Sequence, residues 1–344
     1  MDGVAHLDLD QTDDVLVIAE AGVNHNGSED IAHQLIDVAV ASGAQAVKFQ
    51  TFDPSALTSA SAEATPYQME RSGARDQQSL LQELTLPESA WRRLKDHCDS
   101  VGIRFLSTPF DMGSARLLVD LGVEGLKVSS GELTNLPMLS ELSALGLPLL
   151  VSTGMGDADE VAAAVAACAA APQLLIFHCV SAYPAPLDQC NLTVIPALMR
   201  QHAIPVGWSD HTPGLASAVA AVTLGARVVE KHFTLDRQME GPDHLASLEP
   251  EALTDYVTTL RAIPAALGNG VKRRMPAEEE NAPLVRRSWH AARDLEPGHV
   301  LTPGDLVALR PESGIRPDND IVGRTMAATV AAGQSVASEA LVNG

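Results

Sequence analysis

Residues 206–232 read VGWSDHTPGLASAVAAVTLGARVVEKH and contain two short apolar runs with a histidine at or just after the end of each. Such runs, VGWSD before His211 and VVEKH closing on His232, are typical of parallel strands buried on both faces. Both imidazoles should then emerge on the same rim of one sheet. Because neighbouring strands lie about 4.8 Å apart, the pair could converge on one ion. We expect a metal site, with hydrogen-bonded rim histidines as the alternative.

Six further apolar runs precede this stretch, separated by helical segments. Helix starts are indicated at Ser28, Pro87 and Asp157 by capping residues. Alternating strands and helices imply a parallel sheet, and eight strands predict an α/β fold of the (β/α)8 TIM-barrel type. The six runs are VLVIAE (15–20), AVKFQ (46–50), IRFLST (103–108), LKVSS (126–130), LLVST (149–153) and LLIFHC (174–179).

Two segments depart from the repeating pattern. The segment 51–86 nearly doubles the spacing between the second and third strands, and an active-site lid, a subunit-contact loop and a disordered insertion are all open interpretations. Residues 269–285 form a charged linker with proline and glycine, and 286–344 predict a small β-rich domain. We therefore predict a catalytic barrel over 1–268, a linker and a C-terminal domain.

Composition narrows the class of protein. The net charge of -21 argues against nucleic acid or an anionic membrane as a partner. The four cysteines form no CxxC pair, and no apolar run is long enough to span a bilayer. These features predict a cytoplasmic protein, and any anionic substrate must be held by a few local cations.

In a TIM barrel the carboxyl ends of the strands carry function, so the polar residues there define the candidate site. Lys48, Lys127 and several hydroxyls can neutralise a phosphate and a carboxylate, although salt bridges are the alternative for each lysine. A Schiff-base lysine is a further alternative, but a metal that polarises a carbonyl makes an imine unnecessary. The polar strand-end residues are Glu20, Lys48, Gln50, Ser107, Thr108, Lys127, Ser129, Ser130, Ser152, Thr153, His178, Ser209, His211, Glu230 and His232.

Two loops add candidates. Glu20 ends the first strand in AEAGVNHNG and suits a general acid/base, while a carboxylate that only caps a helix is the alternative. Ser181 and Tyr183 lie in HCVSAYPAP, after the sixth strand, where Tyr183 can contact substrate or pack.

Read together, these residues resemble the sialic acid synthase (N-acetylneuraminate synthase) family over nearly the whole chain. The tail resembles the family's antifreeze-like (SAF) domain, a β-clip fold. The motifs are AEAGVNHNG, VKFQTF, FLSTPFD, KVSSGE, STGM, HCVSAYPAP, GWSDHT and VVEKHFTLDRQMEGPDHLASLEP.

The resemblance implies that phosphoenolpyruvate condenses with the open-chain aldehyde of N-acetylmannosamine, or a related N-acyl amino sugar, and water, giving N-acetylneuraminate or a related nonulosonate and phosphate. It implies a divalent ion, Mn2+ with Mg2+ or Co2+ as alternatives, held by His211 and His232, which are thereby catalytic together with the acid/base Glu20. It also implies a domain-swapped homodimer. The implied substrate-binding residues are Lys48, Gln50, Thr108, Lys127, Ser130, Ser152, Ser181, Tyr183, Ser209, Asp243 and Arg310.

Departures from the family pattern lie near the implied sugar site. Ser181 replaces an asparagine of some bacterial members, Leu245 interrupts GPDHKAS, and PESG follows Arg310 where the family has the glycine-bearing turn RPGxG. Legionaminic or pseudaminic acid synthesis from a diacetamido hexose is therefore an alternative. More distant alternatives are a heptulosonate-type synthase and a non-catalytic carbohydrate- or ice-binding protein.

Overall fold

The computed structural model describes residues 14–59 and 76–342. Eight parallel strands pair in the order β3-β2-β1-β8-β7-β6-β5-β4, and β3 packs beside β4 to close the barrel. All eight predicted strands are present, which confirms the TIM-barrel prediction. The strands are β1 (Leu16–Gly22), β2 (Ala46–Thr51), β3 (Arg104–Pro109), β4 (Leu126–Val128), β5 (Leu149–Ser152), β6 (Leu174–Cys179), β7 (Val206–Asp210) and β8 (Val228–His232).

Helices follow the strands and cover the barrel from outside. Ser28 caps the first by accepting from the Ile31 amide, and Asp157 begins another in a capping box with Glu160, as the sequence predicts. The barrel helices are α1 (Glu29–Ala41), α2 (Pro54–Leu57), α3 (Gln77–Glu83), α4 (Glu88–Val101), α5 (Met112–Asp120), α6 (Leu136–Ser143), α7 (Ala158–Ala167), α8 (Val194–His202), α9 (Ala216–Thr223) and α10 (Pro250–Leu267).

The barrel interior divides into an apolar floor and a polar mouth. Strand residues point inward at every second position, so Leu16, Ile18 and Glu20 of β1 rise along one inner line. Phe177 fills the floor next to Gly207, where a Cβ would lie 2.7 Å from the Phe177 ring. The floor residues are Leu16, Ile18, Ala46, Leu106, Leu150, Leu175, Phe177 and Val228.

The segment after β2 contains helical structure at both ends. Asp53 caps α2, and Asp76 caps α3. Leu80 and Leu84 are buried in a small apolar cluster with Val23 and Phe52. The middle of the 51–86 segment, residues 60–75, lies outside the described residues, and the role of the segment stays open.

The chain divides into two compact units, Met1–Gly268 and Asn269–Gly344. In the second unit, α11 (Ala282–Val285) precedes an antiparallel pair of strands, β9 (Ser288–Ala291) and β10 (Leu306–Leu309). Isolated bridges such as Leu295 to Val330 tie the rest of this β-rich unit together around its own core. The β-rich prediction for the tail agrees with this arrangement.

Candidate active site

A cavity of about 450 Å3 opens at the carboxyl ends of the barrel strands. It collects twelve of the fourteen predicted site residues, all except Asp243 and Arg310. The lining residues are Glu20, Lys48, Gln50, Thr108, Phe110, Lys127, Ser129, Ser130, Gly131, Ser152, Met155, Ser181, Ala182, Tyr183, Ser209, His211, Glu230 and His232.

Four buried charges of alternating sign form the cavity floor, a polar layer distinct from the apolar floor of the barrel. Lys48 Nζ lies 2.7 Å from Glu20 Oε2 and 3.8 Å from Glu230 Oε2. Lys127 Nζ lies 3.7 Å from Glu230 Oε1. Glu230 therefore lies between the two ammonium groups and contacts both. The sequence places Glu230 at a strand end but indicates no role for it, because its contact with Lys48 crosses over β1.

Hydroxyl groups fix both lysine side chains. Lys48 donates to Thr108 Oγ1 at 2.9 Å, and Lys127 donates to Ser152 Oγ at 2.5 Å. Ser209 donates to Glu230 Oε1 at 3.2 Å. The cations are thus held by fixed dipoles as well as by carboxylates, which prepares the cavity floor for an anion.

The titration behaviour of the two glutamates differs. Burial raises the pKa of Glu20 to about 7, against the opposing effect of Lys48. The pKa of Glu230 is lowered, because the charges of Lys127 and Lys48 outweigh the effect of burial. Glu230 is then a permanent anion and Glu20 can exchange a proton near neutral pH, a division that suits general acid/base chemistry.

The two lysines also differ. Burial favours a neutral Lys48, but Glu20 and Glu230 outweigh it and raise the pKa of Lys48. Burial lowers the pKa of Lys127, with Glu230 opposing the shift. Lys48 is therefore held in its charged form by the two glutamates.

His211 and His232 meet at the rim as the sequence predicts, with ring centroids 5.7 Å apart. Tyr183 packs against both, its ring 4.2 Å from that of His211 and 5.8 Å from that of His232. The backbone carbonyl of Val180 lies 2.8 Å from His211 Nδ1, which favours a hydrogen on that atom and a lone pair on Nε2. His232 Nδ1 is buried and has no hydrogen-bond partner among the described residues.

This histidine pair fits a metal site with open positions. Burial lowers the pKa of His211 and lowers that of His232 well below its usual value, so both rings are neutral and carry lone pairs. Within residues 14–59 and 76–342, no group of three or more histidine, cysteine, aspartate or glutamate side chains is arranged to hold a metal ion. Two protein ligands would leave the other positions to water and substrate.

The loop after β5 approaches the site through glycine. A Cβ at Gly154 would collide with Ser181 Oγ and would lie 2.8 Å from Ser130 Oγ and 2.9 Å from Cys179 Sγ. Ser130 in turn accepts a hydrogen bond from the Gly154 amide at 3.0 Å. The STGM motif therefore has a packing reason for its glycine next to two predicted substrate ligands.

Two predicted residues lie outside the cavity lining. Asp243 directly precedes a short 3-10 helix, His244–Ala246. Arg310 follows β10 in the second unit. Cavity residues that we did not predict to bind are Phe110, Ser129, Gly131, Met155, Ala182 and Glu230.

Comparison with known proteins agrees with the family resemblance of the sequence motifs. Residues 35–272 match the NeuB family and residues 286–342 match the SAF domain. The chain is 42% identical to the N,N'-diacetyllegionaminic acid synthase of Campylobacter jejuni, over 87% of this chain and 91% of that protein. It is 40% identical to the synthase of the same name from Legionella pneumophila, over 93% and 92%. The crystal structure of N-acetylneuraminic acid (sialic acid) synthetase from Leptospira borgpetersenii superimposes with a TM-score of 0.68 and 32% identity, over 78% of this chain and 90% of that one.

A TIM barrel with this polar mouth and a C-terminal SAF domain defines the class of protein. The chain belongs to the NeuB family and is an enzyme of the N-acetylneuraminate synthase type. Membership of this family favours an N-acetylneuraminate-type synthase over a heptulosonate-type synthase and over a non-catalytic carbohydrate- or ice-binding protein. In the described part of the chain, no helix is both long and apolar enough to cross a membrane.

Proposed function

We propose that the protein condenses phosphoenolpyruvate with the open-chain aldehyde of a diacetamido hexose and water, giving a legionaminic-acid-type nonulosonate and phosphate. The main support for this reaction type is the buried charge cluster of Glu20, Lys48, Lys127 and Glu230, which shares the cavity with two neutral histidines. It combines an anion site, a proton-exchanging carboxyl and two free metal ligands in one cavity.

The comparisons change our choice of sugar. Our first expectation is N-acetylmannosamine, with a diacetamido hexose as the alternative. Both relatives at 42% and 40% identity are N,N'-diacetyllegionaminic acid synthases, whereas the sialic acid synthetase structure is 32% identical. These identities favour the legionaminic alternative over sialic acid.

Phosphoenolpyruvate has two anionic ends, and the cavity floor has two cations. Lys48 and Lys127 would pair with the phosphate and the carboxylate, while Thr108 and Ser152 keep the ammonium groups in place. Gln50, Ser130 and Ser209 line the same cavity and supply further donors. Glu230 would limit the positive charge, so that phosphate is bound without being trapped after the reaction.

In the reaction, C3 of phosphoenolpyruvate attacks the aldehyde carbon, and water adds to the cationic C2. The tetrahedral centre then collapses with cleavage of the bond between C2 and the phosphate oxygen. Glu20, with its pKa near 7, would donate a proton to the developing alkoxide and accept one from the attacking water. Lys48 Nζ lies 2.7 Å from Glu20 Oε2 and stabilises the ionised carboxylate, which opposes the rise in pKa that burial causes.

The histidine pair would hold the divalent ion. His211 through Nε2 and His232 through a free ring nitrogen have the donor type that Mn2+, Co2+ or Mg2+ sites accept alongside oxygen ligands. When bound, the ion polarises the aldehyde oxygen and so lowers the barrier to attack. Tyr183, packed on both rings, would fix their orientation and border the sugar.

We also infer a domain-swapped dimer in which Arg310 of one subunit reaches the sugar site of the other, where Ser181, Tyr183 and Asp243 are the other predicted sugar contacts. The linker 269–285 is the element that would let the second unit leave its own barrel and reach that of the partner subunit. Arginine suits this role because its planar donors can orient an acyl carbonyl.

A substrate panel tests the proposal. Phosphate release from phosphoenolpyruvate is measured with Mn2+ and N-acetylmannosamine, diacetamido hexoses of the legionaminic and pseudaminic series, and a phosphorylated aldose. We expect the legionaminic precursor to give a kcat/KM at least roughly 10-fold above the others, because an unfilled polar subsite penalises the smaller sugar. A preference for N-acetylmannosamine would return the protein to sialic acid synthesis, and a preference for the phosphorylated aldose would contradict the proposal altogether.

A further inference from the structure

Two histidines face each other on the outer wall of the barrel, where α1 packs against α4. His33 Nδ1 lies 2.6 Å from His97 Nδ1, and the ring centroids are 4.8 Å apart. Their side chains are 31% and 21% exposed, so solvent reaches both. Neither residue lines the mouth cavity, and the proposed reaction uses neither.

Carboxylates stand behind both rings. Asp37 Oδ1 lies 3.0 Å from His97 Nε2, and Glu29 Oε1 lies 3.7 Å from His33 Nε2. Glu29, His33 and Asp37 follow one another at intervals of four residues, so α1 presents all three along one stripe. Asp37 favours a hydrogen on the Nε2 of His97, which leaves the Nδ1 lone pair of that ring directed at His33 Nδ1.

Either a hydrogen on His33 Nδ1 or a cation must lie between the two nitrogens, which are 2.6 Å apart. The local charge favours a cation. Arg93 neutralises Glu29 through two hydrogen bonds of 2.5 and 2.6 Å, and Asp37 adds a second carboxylate. One negative charge therefore remains beside the two ring nitrogens. A shared proton would satisfy the pair, and so would a metal ion.

We propose that His33 and His97 form a binding site for one divalent ion of the nitrogen-preferring class, namely Zn2+, Co2+, Ni2+ or Cu2+. Imidazole ligands hold Zn2+ at about 2.0–2.1 Å, which in a tetrahedral site separates the two nitrogens by about 3.4 Å. The two rings need to separate by about 0.8 Å from their present distance. Water supplies the remaining ligands, Asp37 orients the His97 ring through its Nε2 hydrogen, and Glu29 lies 3.7 Å from His33 Nε2.

The site differs chemically from the one at the barrel mouth. Asp37 and Glu29 face the Nε2 atoms and not the Nδ1 atoms, so the two imidazoles are the ligands that the described residues offer, and Mg2+ and Mn2+ would bind poorly. An ion at this position would join α1 to α4 and stabilise the folded barrel in proportion to its concentration. The site thus links the stability of the enzyme to a bound ion that takes no part in the proposed reaction.

Calorimetric titration with Zn2+ and Co2+ tests this. The full-length His211→Ala/His232→Ala protein, which lacks the proposed mouth ligands, should bind one equivalent. Adding His33→Gln or His97→Gln should weaken that binding at least roughly 10-fold, and Mg2+ should not bind. Asp37→Asn should weaken it by roughly 10- to 100-fold, while Asp30→Asn, the same charge change elsewhere on α1, should leave it unchanged.

An unchanged stoichiometry and affinity in His33→Gln/His97→Gln would place the ion elsewhere, for instance on the four free cysteines, and would overturn the proposal. No binding of Zn2+ or Co2+ at all would leave the pair with a shared proton and overturn it equally. If the histidine variants fail to fold, the comparison of Asp37→Asn with Asp30→Asn decides, because equal affinities in those two proteins contradict the site.

Discussion

Lys231 Nζ lies 3.2 Å from Asp210 Oδ2, and the two residues are paired directly across β7 and β8. Both point away from the mouth, as alternation along the strands predicts for Lys231. Each immediately precedes a histidine of the mouth, His211 or His232. Tyr256 of α10 completes the contact by donating to Asp210 Oδ2 at 2.8 Å. The buried ion pair therefore anchors the strand ends that carry the two histidines.

Replacing one partner of this pair should be costly. Lys231→Met leaves a carboxylate that is 1% exposed without its cation, and we expect the free energy of unfolding to fall by about 3–5 kcal/mol. Denaturant unfolding measures this. Lys95→Met, which breaks a surface pair of 2.6 Å with Asp99, is the matched control and should cost about 1 kcal/mol or less. Equal losses in the two proteins would mean that the buried pair does not anchor the strands.

A second prediction concerns the loop after β8. His244 Nδ1 lies 2.6 Å from Thr234 Oγ1, and its Nε2 lies 3.1 Å from Asn26 Oδ1, so the ring ties the loop after β8 to the loop after β1. Burial lowers the pKa of His244 to about 4. Between about pH 6.5 and 4 the unfolded state binds the proton more readily, so stability rises with pH across this window.

Acidification from pH 6.5 to 4 should thus remove up to about 3 kcal/mol of local stability. Hydrogen exchange of residues 233–249 should accelerate at pH 5, after correction for the intrinsic rate, while that of α10 changes little. His244→Gln should remove this pH dependence. If the variant keeps it, another group controls the loop.

The third prediction tests Glu20. Glu20→Gln preserves shape but removes the exchangeable proton, so kcat should fall by roughly 100-fold or more with modest change in KM. Glu124→Gln is the matched control, because Glu124 pairs with Arg104 at 2.9 Å at the opposite end of the barrel. Its activity should be unchanged. A near-normal rate for Glu20→Gln would restrict this carboxylate to holding Lys48.

The fourth prediction concerns the mouth histidines. His211→Ala and His232→Ala should each abolish turnover and weaken Mn2+ binding, measured by electron paramagnetic resonance, without unfolding the barrel. Chelator followed by Mn2+ should switch wild-type activity off and on. Full activity in rigorously metal-free enzyme would end the metal hypothesis.

The sequence was sufficient to predict the mouth because strand ends and inward alternation follow from short-range patterns. Leu16, Ile18 and Glu20 illustrate this, since one inner line passes from the apolar floor to a carboxyl that lines the cavity. Strand boundaries were predicted less well, and two of them miss by two residues. VLVIAE stops short of the end of β1 at Gly22, and LKVSS runs past the end of β4 at Val128, because Ser130 begins a 3-10 turn. That turn nevertheless keeps Ser130 at the cavity.

Contacts between distant elements could not be predicted in the same way. Glu230 contacts lysines on β2 and β4, neither of which pairs with its own strand. His33 and His97 are 64 residues apart on two helices, and each alone is an ordinary surface histidine. Their partnership depends on how α1 packs on α4, which no local periodicity determines.

The last prediction concerns the second unit. If Arg310 of one subunit completes the sugar site of the other, Arg310→Ala should raise the KM for the sugar more than that for phosphoenolpyruvate. The linker of 269–285 could span roughly 50 Å if extended, so its reach does not forbid such an exchange. Mixing Arg310→Ala with His211→Ala under subunit exchange then gives heterodimers with one intact site, in which the barrel of the first chain meets the arginine of the second. Activity at low sugar concentration should rise above that of either parent. Confirmed heterodimers with no gain would show that the second unit acts on its own barrel or takes no part in catalysis.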